Sequence, residues 1–168
     1  MTSLHLARSL ERSAFSAALR DSNWGFAILI TVHVLALGMF LGTVMVVDLR
    51  LIRRAVIGTP ISDYVGRLLP WTRGAFAALA VSGLLLFCTE AVKCYESTAF
   101  RLKIALILVA GVNIWIFHRK TYRGSPGQDS APWDESAILP VRASLAGILS
   151  LLLWIGALTA GRAVGYNY

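Results

Sequence analysis

The sequence predicts an all-α fold: a transmembrane bundle of four helices, preceded by an amphipathic helix lying in the membrane interface. Three observations carry this. Of the 168 residues, 57% are hydrophobic, and the mean hydropathy is +0.66. Four long apolar runs are separated by short basic, Pro- or Gly-rich stretches. The first run, Gly25 to Val47, has no charge, and its only polar side chains are Thr31, His33 and Thr43. A helix crosses the hydrocarbon layer with about 20 apolar residues, and no soluble helix needs to be apolar all round over such a length. A chain of this size is expected to form a single membrane domain, 1–168.

The elements follow in order. Over residues 3–20, Leu4, Ala7, Ala14, Phe15, Ala18 and Leu19 share one helical face, with Arg12, Ser16 and Arg20 opposite. Glu11 interrupts the apolar stripe. This pattern predicts a helix lying in the interface. A secretory signal has a shorter apolar core close behind a basic start, so the first run is expected to stay in the mature protein. Span one is predicted over 24–48 and ends in the basic "DLRLIRR". Thr59 as N-cap, Pro60 at the first helical position and Asp63 in the first turn predict a short interfacial helix. Pro70 then opens span two, 71–92. Span three, 100–119, is uncharged only from Ile104 to Phe117, so its flanking basic side chains must snorkel. "YRGSPGQDSAPWDES" is a linker. Pro140 starts span four, 140–162, which completes an up-and-down order.

Net charge is +7. The basic residues sit beside apolar runs, where they meet anionic headgroups and set topology, so nucleic acid is not an expected partner. The end that receives both termini carries 7 Lys and Arg; the other end carries 9 and the densest cluster. That is expected to place the second end in the cytoplasm and both termini outside. Cys88 and Cys94 are six residues apart, about 240° around a helix, and are not expected to bridge. No nucleophile motif, phosphate loop, zinc spacing or carboxylate pair is present, so no enzymatic activity is read from the sequence.

Transmembrane helices associate through small residues and polar contacts. On span four, Gly147, Ser150, Trp154, Ala157 and Gly161 lie within about 40° of one line, with Ala143. Gly38 and Gly42 form a G-x-x-x-G pair on span one. These are the candidate faces for helix packing or for a partner subunit. His33 points about 140° to 180° away from the glycine pair, toward the bundle interior. It lies roughly 12 Å below the first headgroup layer. An ionisable group at that depth is a functional candidate.

His33 and His118 are candidate axial ligands of a b-type haem. Spans one and three run in the same direction, and the two histidines differ in depth by roughly 16–18 Å. One iron therefore cannot take both from a single chain, which leaves two different haems or ligands from neighbouring subunits as the alternatives. The alternative for His33 is a neutral imidazole hydrogen-bonded across the bundle, to Ser150 or a backbone carbonyl. Asp48, Arg50, Trp71 and Arg142, with Arg73, form a candidate site for a lipid or quinone headgroup, with Asp48 as an ion-paired anchor. Glu90 is expected to pair with Lys103 or Arg162. Asn113 is expected to bond between helices. Copper is excluded because His33, Met39 and Met45 diverge by about 120° around the helix.

The succession "SNW…HVLALGMFLGTVMVVDLRLI", "LLPWTRGAFAALAVSGLLLF", "FRLKIALILVAGVNIWIFH" and "GILSLLLWIGALTAGR" resembles a family of small bacterial four-helix membrane proteins of unknown function. The matching positions include His33, Asp48, Arg50, Pro70, Trp71, Gly83, Lys103, Asn113, His118, Arg142, Trp154 and Arg162. That family brings no activity with it. The bundle also resembles, more loosely, small b-type cytochromes. Two functions are therefore expected. One is an accessory or structural subunit of a larger membrane complex, with lipids and other subunits or a second copy as partners. The other is a small electron-transfer protein that carries haem b or meets a quinone.

Overall fold

The computed structural model describes residues 2–22, 24–53, 61–117, 119 and 141–165. Every described element is helical: α1 (Thr2–Glu11), α2 (Ala14–Asp21), α3 (Gly25–Arg53), α4 (Ile61–Thr89), α5 (Ala91–Glu96), α6 (Thr98–Phe117) and α7 (Val141–Val164). Of these, α3, α4, α6 and α7 are long and apolar enough to cross a membrane. Thr59, Pro60, His118 and Pro140 lie outside the described residues.

Two boundaries differ from the sequence expectation. The N-terminal helix is two helices. Ser13 breaks it, with an extended backbone and a hydroxyl that accepts from the Ser16 amide, as an N-cap does. Ser16, placed by periodicity on the polar face, is fully buried, and its hydroxyl donates to the Leu10 carbonyl. The second difference is at Pro70. No separate interfacial helix precedes the second span; α4 runs unbroken from Ile61 with Pro70 inside it. Proline removes one ladder bond, but a long helix held by its neighbours tolerates the loss.

Burial is inverted relative to a soluble protein. Leu108 is 65% exposed while Ala110, two residues on, is fully buried. The interior is rich in small residues, among them Ala36, Ala75, Ala143, Ser150 and Ala157, while many leucines and valines, such as Leu35, Leu84, Leu108 and Leu152, face outward. Where the solvent is lipid, large apolar side chains gain nothing by hiding, and small residues let helices approach.

The packing order is α4–α3–α7–α6: α3 lies against both α4 and α7, and α6 lies against α7. The helices α4 and α6 scarcely approach each other. At mid-depth the bundle is closed by Phe40, Ala75, Ala110, Leu153 and Trp154. Phe40 meets Trp154 edge-on at 4.7 Å and Phe76 at 5.5 Å between ring centres. Above this plug, on the side of the chain termini, and below it, the space near the α4–α6 gap holds two separate cavities.

The upper end is tied by α1, α2 and α5. Glu11 accepts from the Val92 amide at 2.9 Å, capping α5, whose own Glu90 makes no capping bond. Arg20 reaches Glu11 at 3.8 Å and the Thr89 carbonyl at 3.4 Å. The charge that broke the apolar stripe of α1 is thus the group that docks it. Cys88 and Cys94 are both free thiols.

Candidate functional site: two cavities of opposite polarity

The upper cavity has a volume of about 720 Å3 and is walled by all four spans. From α3 comes His33; from α6, Lys103; from α7, Trp154 and Arg162. The imidazole is held from α4. His33 Nδ1 lies 2.9 Å from Ser82 Oγ, and Ser82 Oγ lies 2.6 Å from the Ala78 carbonyl oxygen. A hydroxyl has one proton, and the carbonyl can only accept it. Ser82 therefore accepts from His33, whose proton sits on Nδ1. Nε2 is left as a lone pair on a ring that lines the cavity. Second-neighbour oxygens fix metal-ligating imidazoles in this way.

The ring fits because α4 has no side chain opposite it. A Cβ on Gly83 would stand 3.1 Å from His33 Cε1. Lys103 crosses α7 at Gly161, where a Cβ would come within 3.4 Å of its stem. The Trp154 indole N–H is buried without a hydrogen-bond partner. Phe87 and Phe100 stack at 5.6 Å and join α4 to α6 at the top. Apart from Nε2, the polar lining of this cavity is cationic or donating.

The lower cavity is smaller, about 140 Å3. Its polar lining is Thr43 and Asp48 from α3, Thr72 from α4, Asn113 from α6 and Ser150 from α7. Asp48 is 6% exposed, and its Oδ2 has no hydrogen-bond partner. The Ser150 hydroxyl is its polar neighbour. Asn113 donates to the Ala146 carbonyl at 3.1 Å, the interhelical bond expected of it. The α3–α7 seam beside this cavity is tight. A Cβ on Gly147 would lie 2.9 Å from the Asp48 carbonyl oxygen, and Ser144 bonds to the Ile52 carbonyl.

Several expected contacts are replaced by others. His33 meets Ser82 rather than Ser150. Glu90 meets Lys93 at 3.8 Å, neither Lys103 nor Arg162. Asp48 has no ion pair among the described residues; it sits among hydroxyls and an amide. Arg50 is half-buried, two residues from Asp48, while Trp71 and Arg142 are exposed and line neither cavity. Of the four residues of the expected headgroup site, Asp48 alone lines a cavity. Gly147, Ser150, Trp154 and Ala157 are buried within the chain's own bundle, whereas a Cβ on Gly38 or Gly42 would meet open space. Among the described residues no three His, Cys, Asp or Glu side chains cluster as a metal site would require. Ser82, Gly83 and Thr72 were not singled out as site residues by sequence reasoning.

The architecture is that of a polytopic four-helix membrane protein with its cavities walled by the spans. The chain belongs to the DUF6644 family, a family of unknown function, whose profile matches residues 24–167. No curated protein and no solved structure matches it.

Proposed function

We propose that the upper cavity is the binding site of an amphipathic redox cofactor, a b-type haem, and that the protein is a small membrane electron carrier. The observation that carries this is the His33–Ser82 pair: it engages Nδ1 and leaves Nε2 free of that bond on a ring that lines a cavity of about 720 Å3. That volume lies within the range of roughly 300–1,000 Å3 usual for ligand cavities. The residues suit the group. His33 would hold the iron through a ring nitrogen; Lys103 and Arg162 would supply positive charge for carboxylates; Phe76, Phe87 and Phe100 would supply aromatic walls. Such a group would supply one-electron redox chemistry. A quinone is the variant of this reading, with the Trp154 N–H as donor to a carbonyl oxygen.

An absorption spectrum of the purified protein tests the proposal. A Soret band that is lost in His33→Ala is the expected result. A colourless preparation containing neither haem nor quinone overturns it. The second reading, an accessory or structural subunit of a larger complex, rests on the exposed Gly38 and Gly42 pair on the outward side of α3, and copurification with other subunits is its support. On the resemblance to a family of small bacterial membrane proteins we assign the chain to a bacterial inner membrane, and on the 9 to 7 division of its basic residues we assign its termini to the periplasmic side.

A further inference from the structure

We propose that the lower cavity binds the primary ammonium of a phosphoethanolamine lipid, with the lipid entering through the gap between α4 and α6. The argument begins with a count of donors and acceptors. The Thr43 hydroxyl donates to the Phe40 carbonyl at 2.9 Å, and the Thr72 hydroxyl to the Leu68 carbonyl at 2.9 Å. Asn113 gives an amide proton to Ala146. These groups turn mainly lone pairs toward the cavity. Asp48 Oδ2, buried and without a partner, adds the strongest acceptor. The described lining holds no Lys, Arg or His. A buried carboxylate oxygen left unmatched is costly. A ligand that brings several N–H donors and a positive charge removes that cost, and a primary ammonium brings three.

The surroundings select a lipid rather than a free ion. Asp48 lies four residues before the end of its span, about 6 Å of helix rise, which is headgroup depth. The remaining walls are apolar, including Val44, Leu68 and Ile114, and suit the start of acyl chains. Arg67 on α4 and Arg142 on α7 are exposed at this same end and can meet a phosphate. Two further basic residues belong to this end of the spans: Arg50, two residues after Asp48 on α3 itself, and Arg119 just beyond α6, with its guanidinium 4.6 Å from the Trp115 ring centre. A carboxylate recess with basic residues around it matches a zwitterion of ammonium and phosphate.

Native mass spectrometry of the full chain, with lipids of identical acyl chains added, tests this. Phosphatidylethanolamine should bind wild type roughly tenfold or more tighter than phosphatidylcholine, whose quaternary nitrogen has no N–H. That is the scale of one charge-assisted hydrogen bond. Asp48→Asn should abolish the preference, and Asp48→Glu should keep part of it. Equal binding of the two lipids by wild type overturns the proposal, and this readout needs no variant to fold. Phosphatidylglycerol binding as tightly as phosphatidylethanolamine also overturns it, because that would mark a simple anion site. So would an undiminished preference in Asp48→Asn.

Discussion

The upper and lower cavities share the same four walls and differ in what those walls offer. Above the Phe40–Trp154 plug stand Lys103, Arg162 and a buried indole N–H without a partner; below it stand a buried carboxylate and hydroxyls whose protons are engaged. One packing order produces both. Among the spans, α4 packs chiefly on α3 and α6 chiefly on α7, so α4 and α6 leave a gap that the Phe87–Phe100 stack bridges at the top. The lesson is that in a bundle whose surface is all apolar, ligand selectivity resides in which polar atoms have spent their hydrogen bonds and which have not.

The largest expected effect tests the plug that keeps the cavities separate. Trp154→Ala should lower stability by about 3–5 kcal/mol, the usual cost of truncating a buried large aromatic, measured by thermal unfolding in detergent. It should weaken ligand binding above more than below, since Trp154 lines the upper cavity alone. Gly147→Val comes next. Its added bulk meets the Asp48 backbone at the α3–α7 seam and should cost about 1–3 kcal/mol. Gly38→Ala and Gly42→Ala should stay within about 0.5 kcal/mol in the isolated protein; equal losses at all three glycines would show that the seam lies elsewhere.

A smaller effect is expected at the cap that closes the upper end. Glu11→Ala removes the acceptor for the Val92 amide and should cost about 1 kcal/mol. The least disruptive test uses Cys94, beside that cap. Burial, with Glu90 nearby, pushes its thiol from 9.0 up to about 11. The folded state thus holds this proton more firmly than the unfolded chain. Its stabilising contribution is complete below about pH 9 and declines as pH rises through 9 toward 11. Alkylation at neutral pH should be roughly a hundredfold slower than for an unshifted thiol; labelling at the rate of a free thiol would show that the α1–α5 cover is open.

The four spans were legible because 20 or so apolar residues in succession have one physical solution in a bilayer. His33 was legible because an imidazole at that depth is expensive. Its partner Ser82 was missed in favour of Ser150, although depth carried a signal. His33 is eight residues into its span (33 − 25) and Ser82 seven from the end of the antiparallel one (89 − 82). A serine in an apolar helix is a weak signal until it is matched to something across the bundle. The Asp48 environment was misread because net charge near a helix end suggests ion pairing, whereas rotation about the helix axis decides which groups meet. Trp71 and Arg142 share its end of the bundle but are exposed and line neither cavity. The unbroken α4 was hidden by Pro60 and Pro70, which read as starts in sequence, and the split at Ser13 by a continuous periodicity.

The claim on which the rest stands is that one chain keeps two ligand sites of opposed character apart. Mass spectra of wild type, Lys103→Met and Asp48→Asn, all taken from the same membranes, address it most directly. The account predicts crossed losses: the lysine variant sheds the carboxylate-bearing cofactor yet retains its ethanolamine lipid, and the aspartate variant does the reverse. Both adducts vanishing together in either variant, or neither changing in both, would contradict it.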